Sequence, residues 1–295
     1  MTQTELLFRL AQKLQDETFD PDRLDQYNLY LTVGPKTVRI AVADTVRNKF
    51  LALLNYETEA TLSWPEWAEQ LDLIYEQHKN LSQPHWKSVR IALKNQDFTL
   101  IPPTLFDEKE AATYLRLHTA LDEQEETVFY YRHPNLELVN IFGATTLVVD
   151  FLHAKYPHRP VRLIHQTSAL IEGMLHQHER SSAKKAGLFV EQHSLTVVVV
   201  RDGGLEFCNI FHYTTPEDFI YFAIFVMQEQ KLNPDVDPVT VWGDLTHASE
   251  LFNMLRKYIR HVKLGKKLSD IAFSYKFDEL FDHRFFDVYS IHLCE

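Results

Sequence analysis

Glycine is scarce in this chain. Its 295 residues include 8 glycines, about 2.7% against a usual ~7%, which limits how many loops can bring bare backbone against a phosphate. Cysteine is scarcer still. Cys208 and Cys294 are the only two, too few for a disulfide framework and in keeping with a reducing compartment. Long apolar runs are missing: the longest, Phe219 to Met227, is about half of what a membrane span needs. The first residues carry Glu5, Arg9, Lys13 and Asp16 and lack the apolar core of a cleavable leader. The expectation is a cytoplasmic protein with no membrane partner. An excess of positive charge is also lacking. The net charge of −11 sets the whole chain against nucleic acid and anionic lipid. No Gly-x-Ser-x-Gly elbow, Walker loop or dinucleotide fingerprint occurs, so those chemistries have no local signature here.

What is present is an ordinary globular composition, 45% hydrophobic and 24% charged, and an order of elements that recurs. Tyr27 to Val33 and Thr37 to Val42 read as strands around a Gly34-Pro35 turn, and Phe50 to Tyr56 as a third; such short turns require antiparallel neighbours. Ser63 and Glu66 form a capping box that opens a helix, with Trp67, Leu71, Ile74 and Tyr75 at inward spacing. Lys87 to Leu93 then alternates as a strand.

The second half repeats the order. Gly187 to Glu191, Leu195 to Arg201 and Leu205 to His212 are strands, with turns at Gln192-His193-Ser194 and Asp202-Gly203-Gly204. Thr215-Pro216-Glu217-Asp218 opens a helix, and its continuation Phe219 to Met227 is apolar all round, hence expected buried. Pro238 to Trp242 is a strand ended by Gly243-Asp244.

Between the repeats the pattern predicts strands at Phe98 to Ile101, Thr127 to Arg132, Leu136 to Phe142 and Val161 to His165. Helices are predicted from Asp107 through Leu121, Thr145 to Lys155 and Ser168 to His176. Beyond the second repeat come a helix from Ala248 to Val262, a strand from Ile271 to Tyr275 and a terminal element from Asp278 to Leu293. The βββαβ unit thus appears twice, and the second strands begin alike, Thr37-Val38 and Thr196-Val197, 159 positions apart. Repetition at this scale predicts two similar lobes, residues 1–180 and 181–295, with a cleft between them.

The doubled unit resembles the actin-like ATPase fold, a duplicated ribonuclease-H-like domain. The fold class is therefore α/β with mixed sheets in two lobes. More narrowly, the chain is similar to a bacterial family of uncharacterised proteins assigned that fold. The segments that carry the likeness are Phe98 to Pro102 with Leu105-Phe106-Asp107-Glu108, and Phe277-Asp278-Glu279-Leu280 through His283-Arg284-Phe285-Phe286 to Leu293-Cys294-Glu295. More distant relatives of similar shape are the actin-like subunits of pilus-assembly and type II secretion platforms, which act largely as scaffolds.

The resemblance implies where ATP and Mg²⁺ would sit. The first turn should carry an aspartate, then glycine, then small polar residues. Here Thr32 stands at the acid's place, Gly34 is kept, Pro35 removes a backbone donor, and Lys36 follows. The second turn should offer an acid and glycines; it reads Glu191, Gln192, His193, Ser194. A glycine loop after a strand should meet adenosine, and Gly243-Asp244 fits that place. Each lost phosphate bond costs ~1.5–3 kcal/mol, so two or three losses turn a micromolar site into a millimolar one. Thr32, Gly34, Lys36, Glu191, Gln192, Ser194, Gly243 and Asp244 are thus read as a vestigial nucleotide site. No catalytic residue, metal site or cofactor is assigned, and ATP with Mg²⁺ is disfavoured.

Other constellations read as structural. His176-Gln177-His178 with Glu179 gathers potential Zn²⁺ ligands, but adjacent side chains leaving a helix diverge, and no Cys/His pair has finger spacing. His153, His158 and His165 are scattered. Cys208 and His212 share a strand face but lie ~13 Å apart, too far for a nucleophile and its base. The basic run Arg256 to Lys267 reads as a solvated helix face rather than an RNA site. The aromatics of Phe219 to Phe225 and Phe281 to Tyr289 read mostly as core, with any exposed part a docking surface. These readings amount to a pseudo-ATPase serving as scaffold or regulatory module for a protein partner. The alternative is a divergent ATP-binding protein, ATPase or phosphotransferase of the same superfamily.

Overall fold

The first sheet begins with a strand that its own polarity conceals. Arg9–Gln15 (β1) buries only Leu14 fully, so the sequence offers no hydrophobic alternation to announce a strand ahead of Tyr27. The computed structural model describes residues 5–122, 124–157, 160–177 and 183–294. By contacts it divides into two units, one running through Gln166 with Ile271–Asp278 added, the other covering Thr167–Asp270 and the residues from Glu279 onward. The divide expected at residue 180 lies outside the described residues.

In the first unit, Tyr27–Val33 (β2), Thr37–Asp44 (β3) and Lys49–Glu57 (β4) form an antiparallel meander. β1 joins it at β4, and Ser88–Leu93 (β5) and Val161–His165 (β9) add on the other side in parallel. β2 is buried throughout, as a strand covered on both faces must be. Trp64–Gln77 (α1) opens with the Ser63/Glu66 capping box and buries Trp67, Leu71, Ile74 and Tyr75. Phe98–Ile101 (β6), Glu126–Arg132 (β7) and Val139–Thr145 (β8) form a separate antiparallel sheet in the order β6-β8-β7. Ala111–Arg116 (α2) packs Ala111 and Leu115 against Val139 and Ile141 of β8. The helix expected from Asp107 to Leu121 is shorter, because Asp107 caps a 3-10 turn over Glu108–Glu110 and α2 ends at Arg116. Thr146–Lys155 (α3) completes the insertion.

A late segment returns to this unit. The strand expected over Ile271 to Tyr275 contracts to Ala272–Phe273 (β15), parallel to the start of β4, and Phe273 stacks on Phe50 at 5.0 Å. Asp16, 3% exposed, bonds to Ser274, the residue that follows β15. Burial alone would raise its carboxyl, but bonds from Lys49 (2.8 Å), Ser274 and Thr18 outweigh that and hold it well below the usual carboxylate range. A depressed folded-state pKa gives stability present above the unfolded value and lost as pH falls. Asp16→Asn should cost about 2 kcal/mol near neutral pH and flatten the acid limb of stability. Urea midpoints of both proteins measured between neutral and acidic pH check this.

In the second unit, Lys185–Glu191 (β10), Ser194–Arg201 (β11) and Gly204–His212 (β12) repeat the meander. Val239–Gly243 (β13) and Val262–Leu264 (β14) extend it in parallel, in the order β12-β11-β10-β13-β14. Gln166–Gln177 (α4) precedes the sheet in the chain. Pro216–Glu229 (α5) starts with proline and a capping box between Thr215 and Asp218. It buries Phe219, Ile220, Ala223, Val226 and Met227, but Tyr221 and Phe225 are 62% and 40% exposed. The expectation that this apolar run is buried all round is therefore corrected. Only one face meets the sheet, and Tyr221 and Phe225, four residues apart, stack on each other at 6.0 Å.

Glu250–Tyr258 (α6) also stops short of its expected end at Val262, because Ile259 is extended and the chain enters β14. The basic run Arg256 to Lys267 is consequently no helix face; it spans a helix end, β14 and a loop whose Lys267 pairs with Asp282 at 3.3 Å. The terminal segment holds a short α-helix, Phe286–Ser290 (α7), followed by a 3-10 turn over Ile291–Leu293, with Phe285, Phe286 and Tyr289 buried and Phe281 60% exposed.

Candidate functional site

Thr32, Gly34 and Lys36 belong to the first unit and surround the β2–β3 turn. Thr32 is fully buried, paired with Arg39 on β3 and Ala92 on β5. Its hydroxyl has no hydrogen-bond partner among the described residues. Arg39 is equally buried and donates from Nε to Asn55 Oδ1 at 3.3 Å; Asn55 donates onward to Glu57 Oε1 at 2.7 Å. Thr32, Arg39 and Asn55 thus stand side by side across β2, β3 and β4, and the hydrogen-bonded chain from Arg39 through Asn55 ends on the Glu57 carboxylate.

The glycine of this turn has no bare backbone to offer. The Gly34 N–H donates to Thr37 O at 3.0 Å, and its carbonyl accepts from Trp67 Nε1 at 3.1 Å. A Cβ at 34 would lie 2.8 Å from Lys94 Cβ, so glycine is required there by the close passage of Lys94. The Lys94 ammonium donates to Thr37 Oγ1 at 3.1 Å. Lys36 is also engaged: its ammonium donates to the Glu59 and Ala60 carbonyls, both at 2.9 Å.

The other five residues belong to the second unit. Glu191 pairs with Ser194 to close the β10–β11 hairpin, with Gln192 and His193 at its exposed tip. The Tyr213 hydroxyl donates to the Glu191 carbonyl. Burial first, then the nearby carboxylates of Asp244 and Glu191, push that phenol up to about 12. The fold therefore brings Glu191 and Asp244 to one phenol at the C-terminal ends of β10 and β13, the end where open α/β sheets bind ligands. Asp244 Oδ1 is 3.5 Å from Arg284 Nη2, so its charge is already faced by a cation.

Gly243 has φ +107°, and a Cβ there would stand 2.0 Å from Val190 O. Its N–H donates to His283 O at 2.9 Å. The His283 ring bonds to the Leu245 carbonyl, and burial holds it below the usual imidazole range. Strand packing alone accounts for this glycine.

The two turns align by their hydrogen bonds. Lys94 N–H to Val33 O and Asp244 N–H to Val190 O are both 2.8 Å and close the same corner. Val33 then corresponds to Val190, Gly34 to Glu191, Thr37 to Ser194 and Lys94 to Asp244. The shared Thr-Val dipeptide at positions 37 and 196 is out of this register by two residues and is coincidental. Lys94, Tyr213 and Arg284 were missed from sequence. Lys94 could have been found by reading the residue after each parallel strand, whereas Tyr213 and Arg284 have no such positional signal.

The remaining candidates are structural. Among the described residues no three His, Cys, Asp or Glu side chains form a metal-holding group. His176 Nε2 is 3.0 Å from Asp270 Oδ1, while His158, His178 and Glu179 lie outside the described residues. His165 is buried, stacks on Phe98 at 4.8 Å, and is held down to about 3 by desolvation. Desolvation likewise pushes the Cys208 thiol up, which suppresses thiolate chemistry.

Three comparisons bear on this geometry. A family model described as "Protein of unknown function (DUF3822)" matches residues 16–262. No curated protein matches. Among solved structures, a protein of unknown function with an actin-like ATPase fold from Bacteroides thetaiotaomicron VPI-5482 superposes with a TM-score of 0.80. It is 23% identical, over 94% of this chain and 100% of that one. A PilM–PilN type IV pilus biogenesis complex gives a TM-score of 0.58 at 13% identity, over 91% of this chain and 98% of that one.

Proposed function

The chain belongs to the DUF3822 family of proteins of unknown function and has the actin-like ATPase fold, and from that premise we propose a cytoplasmic, non-catalytic scaffold or regulatory module that binds another protein. One observation carries the reading. In the first turn the groups best placed to hold a phosphate are engaged elsewhere: the Gly34 N–H donates to Thr37 and the Lys36 ammonium to two carbonyls, while no acid stands at Thr32 or at Gly34. The second turn adds support, because the Glu191-Gln192-His193-Ser194 hairpin has no glycine to admit a phosphate against its backbone. PilM shares the fold and stands in a complex with PilN, an analogy of fold only. No helix among the described residues is long and apolar enough to cross a membrane.

Calorimetric titration with Mg-ATP and a phosphate-release assay test the proposal. The expected result is no saturable binding below about 1 mM, the consequence of two or three absent phosphate bonds, and no phosphate release above background. Tight binding with turnover, abolished in Glu191→Gln or Asp244→Asn, would replace the scaffold with an ATPase or phosphotransferase.

A further inference from the structure

The first unit contains a cavity unrelated to the turns. It holds about 370 Å³, within the range of small-ligand sites and roughly the volume of a dozen waters at their liquid share of ~30 Å³ each. Its origin is the length of α1. The helix covers the sheet through Trp67, Leu71 and Ile74 and ends at Gln77; His78 is non-helical, at φ −123° and ψ 70°. The far corner of the sheet, over β3, β4 and β1, is left open.

Ile40 and Val42 of β3 pair with Leu54 and Ala52 of β4 and form an apolar floor, and Trp86 lines the cavity with them. Lys13 of the edge strand pairs with Leu54 and so stands on the same face of the sheet as that floor. Its ammonium makes no ion pair among the described residues, yet its charge reaches His78, whose imidazole is depressed by burial first and by Lys13 second. Lys79 also lines it, and among the described residues Glu76 is the one carboxylate of the lining. The His78 ring is itself engaged, its Nε2 2.7 Å from Tyr56 OH. An apolar pocket with a net positive mouth, in a chain of net charge −11, has a definite complement.

We propose that this cavity binds a small amphipathic carboxylate, its aliphatic part on Ile40, Val42, Ala52 and Leu54 and its carboxylate on Lys13. Decanoate is the probe, titrated into the full chain by calorimetry, with decanol as the neutral control. Decanoate should bind saturably, and decanol about tenfold more weakly. Lys13→Met, a change on the exposed edge, should weaken decanoate about tenfold and leave decanol unchanged. Ala52→Phe should fill the floor and abolish binding of both. Far-UV circular dichroism and the urea midpoint verify folding; should Ala52→Phe not fold, the Lys13→Met comparison decides alone. No saturable decanoate binding at 1 mM overturns the proposal. Equal affinity for decanol and decanoate overturns it too, as does an affinity indifferent to Lys13→Met. Because none of these residues lies in the turns, the result is independent of the nucleotide titration.

Discussion

Gly243→Ala should lower the stability of the protein by about 3 kcal/mol or more. Two separate effects act at this position. At φ +107° the backbone lies outside the regions open to a residue with a Cβ. The Cβ would also stand 2.0 Å from Val190 O and 2.9 Å from Val190 N and C. These are backbone atoms at the end of β10, so no side chain can swing aside. Relief requires β13 to move from β10, which breaks the Asp244 N–H to Val190 O bond at 2.8 Å and disturbs the Gly243 N–H to His283 O bond at 2.9 Å. Gly204→Ala is the control. It lies in the same sheet without a positive φ, and its added Cβ would meet nothing nearer than Arg201 O at 3.5 Å, so its cost should stay within about 0.5 kcal/mol. Urea unfolding of the three proteins by far-UV circular dichroism checks this. Equal midpoints for the two variants would mean that the corner at Gly243 is softer than its geometry implies.

That corner also shows what the sequence could and could not convey. The meanders were legible because their strands are dense in β-branched and aromatic residues and their helices carry local caps. β2 and β9 fall at their expected bounds, and the Ser63/Glu66 box opens α1 where the sequence places it. Elements whose stability comes from a distant partner were not legible. β1 is a polar edge strand held by β4, and β14 is three residues held by β13. Neither has enough apolar periodicity to stand out over a short window.

The candidate site divides the same way. Pro35 in the first turn and the missing glycine of the second are matters of residue identity and could be read directly, whereas the acid's place at Thr32 depended on a register that the strand pairing moves to Gly34. Lys94 beneath Gly34 and Tyr213 between two acids depend on which strand ends meet, and register is a tertiary property. The Thr-Val repeat gave a register two residues from the true one because a dipeptide carries too little pattern to fix it.

Trp67 joins the helix to the first turn, and Trp67→Ala should cost about 3–5 kcal/mol. The side chain is 1% exposed, so removing it leaves a cavity between α1 and the sheet. The same change strips the Gly34 carbonyl of the indole N–H that reaches it at 3.1 Å, and an orphaned buried acceptor adds its own penalty. Trp67→Phe separates the two contributions, since the ring is largely kept and the donor is lost; roughly half the cost should remain. Amide exchange supplies a local readout. In Trp67→Phe the Gly34 amide, bonded to Thr37 O at 3.0 Å, should exchange faster than in the wild type, while Leu31 in the middle of β2 keeps its protection. If both amides accelerate alike, the indole supports the whole sheet. If neither does, the turn is held by Lys94 and Lys36 without help from the helix. The expected split would assign the turn's rigidity to α1, which ties the engaged state of the Gly34 backbone to helix packing.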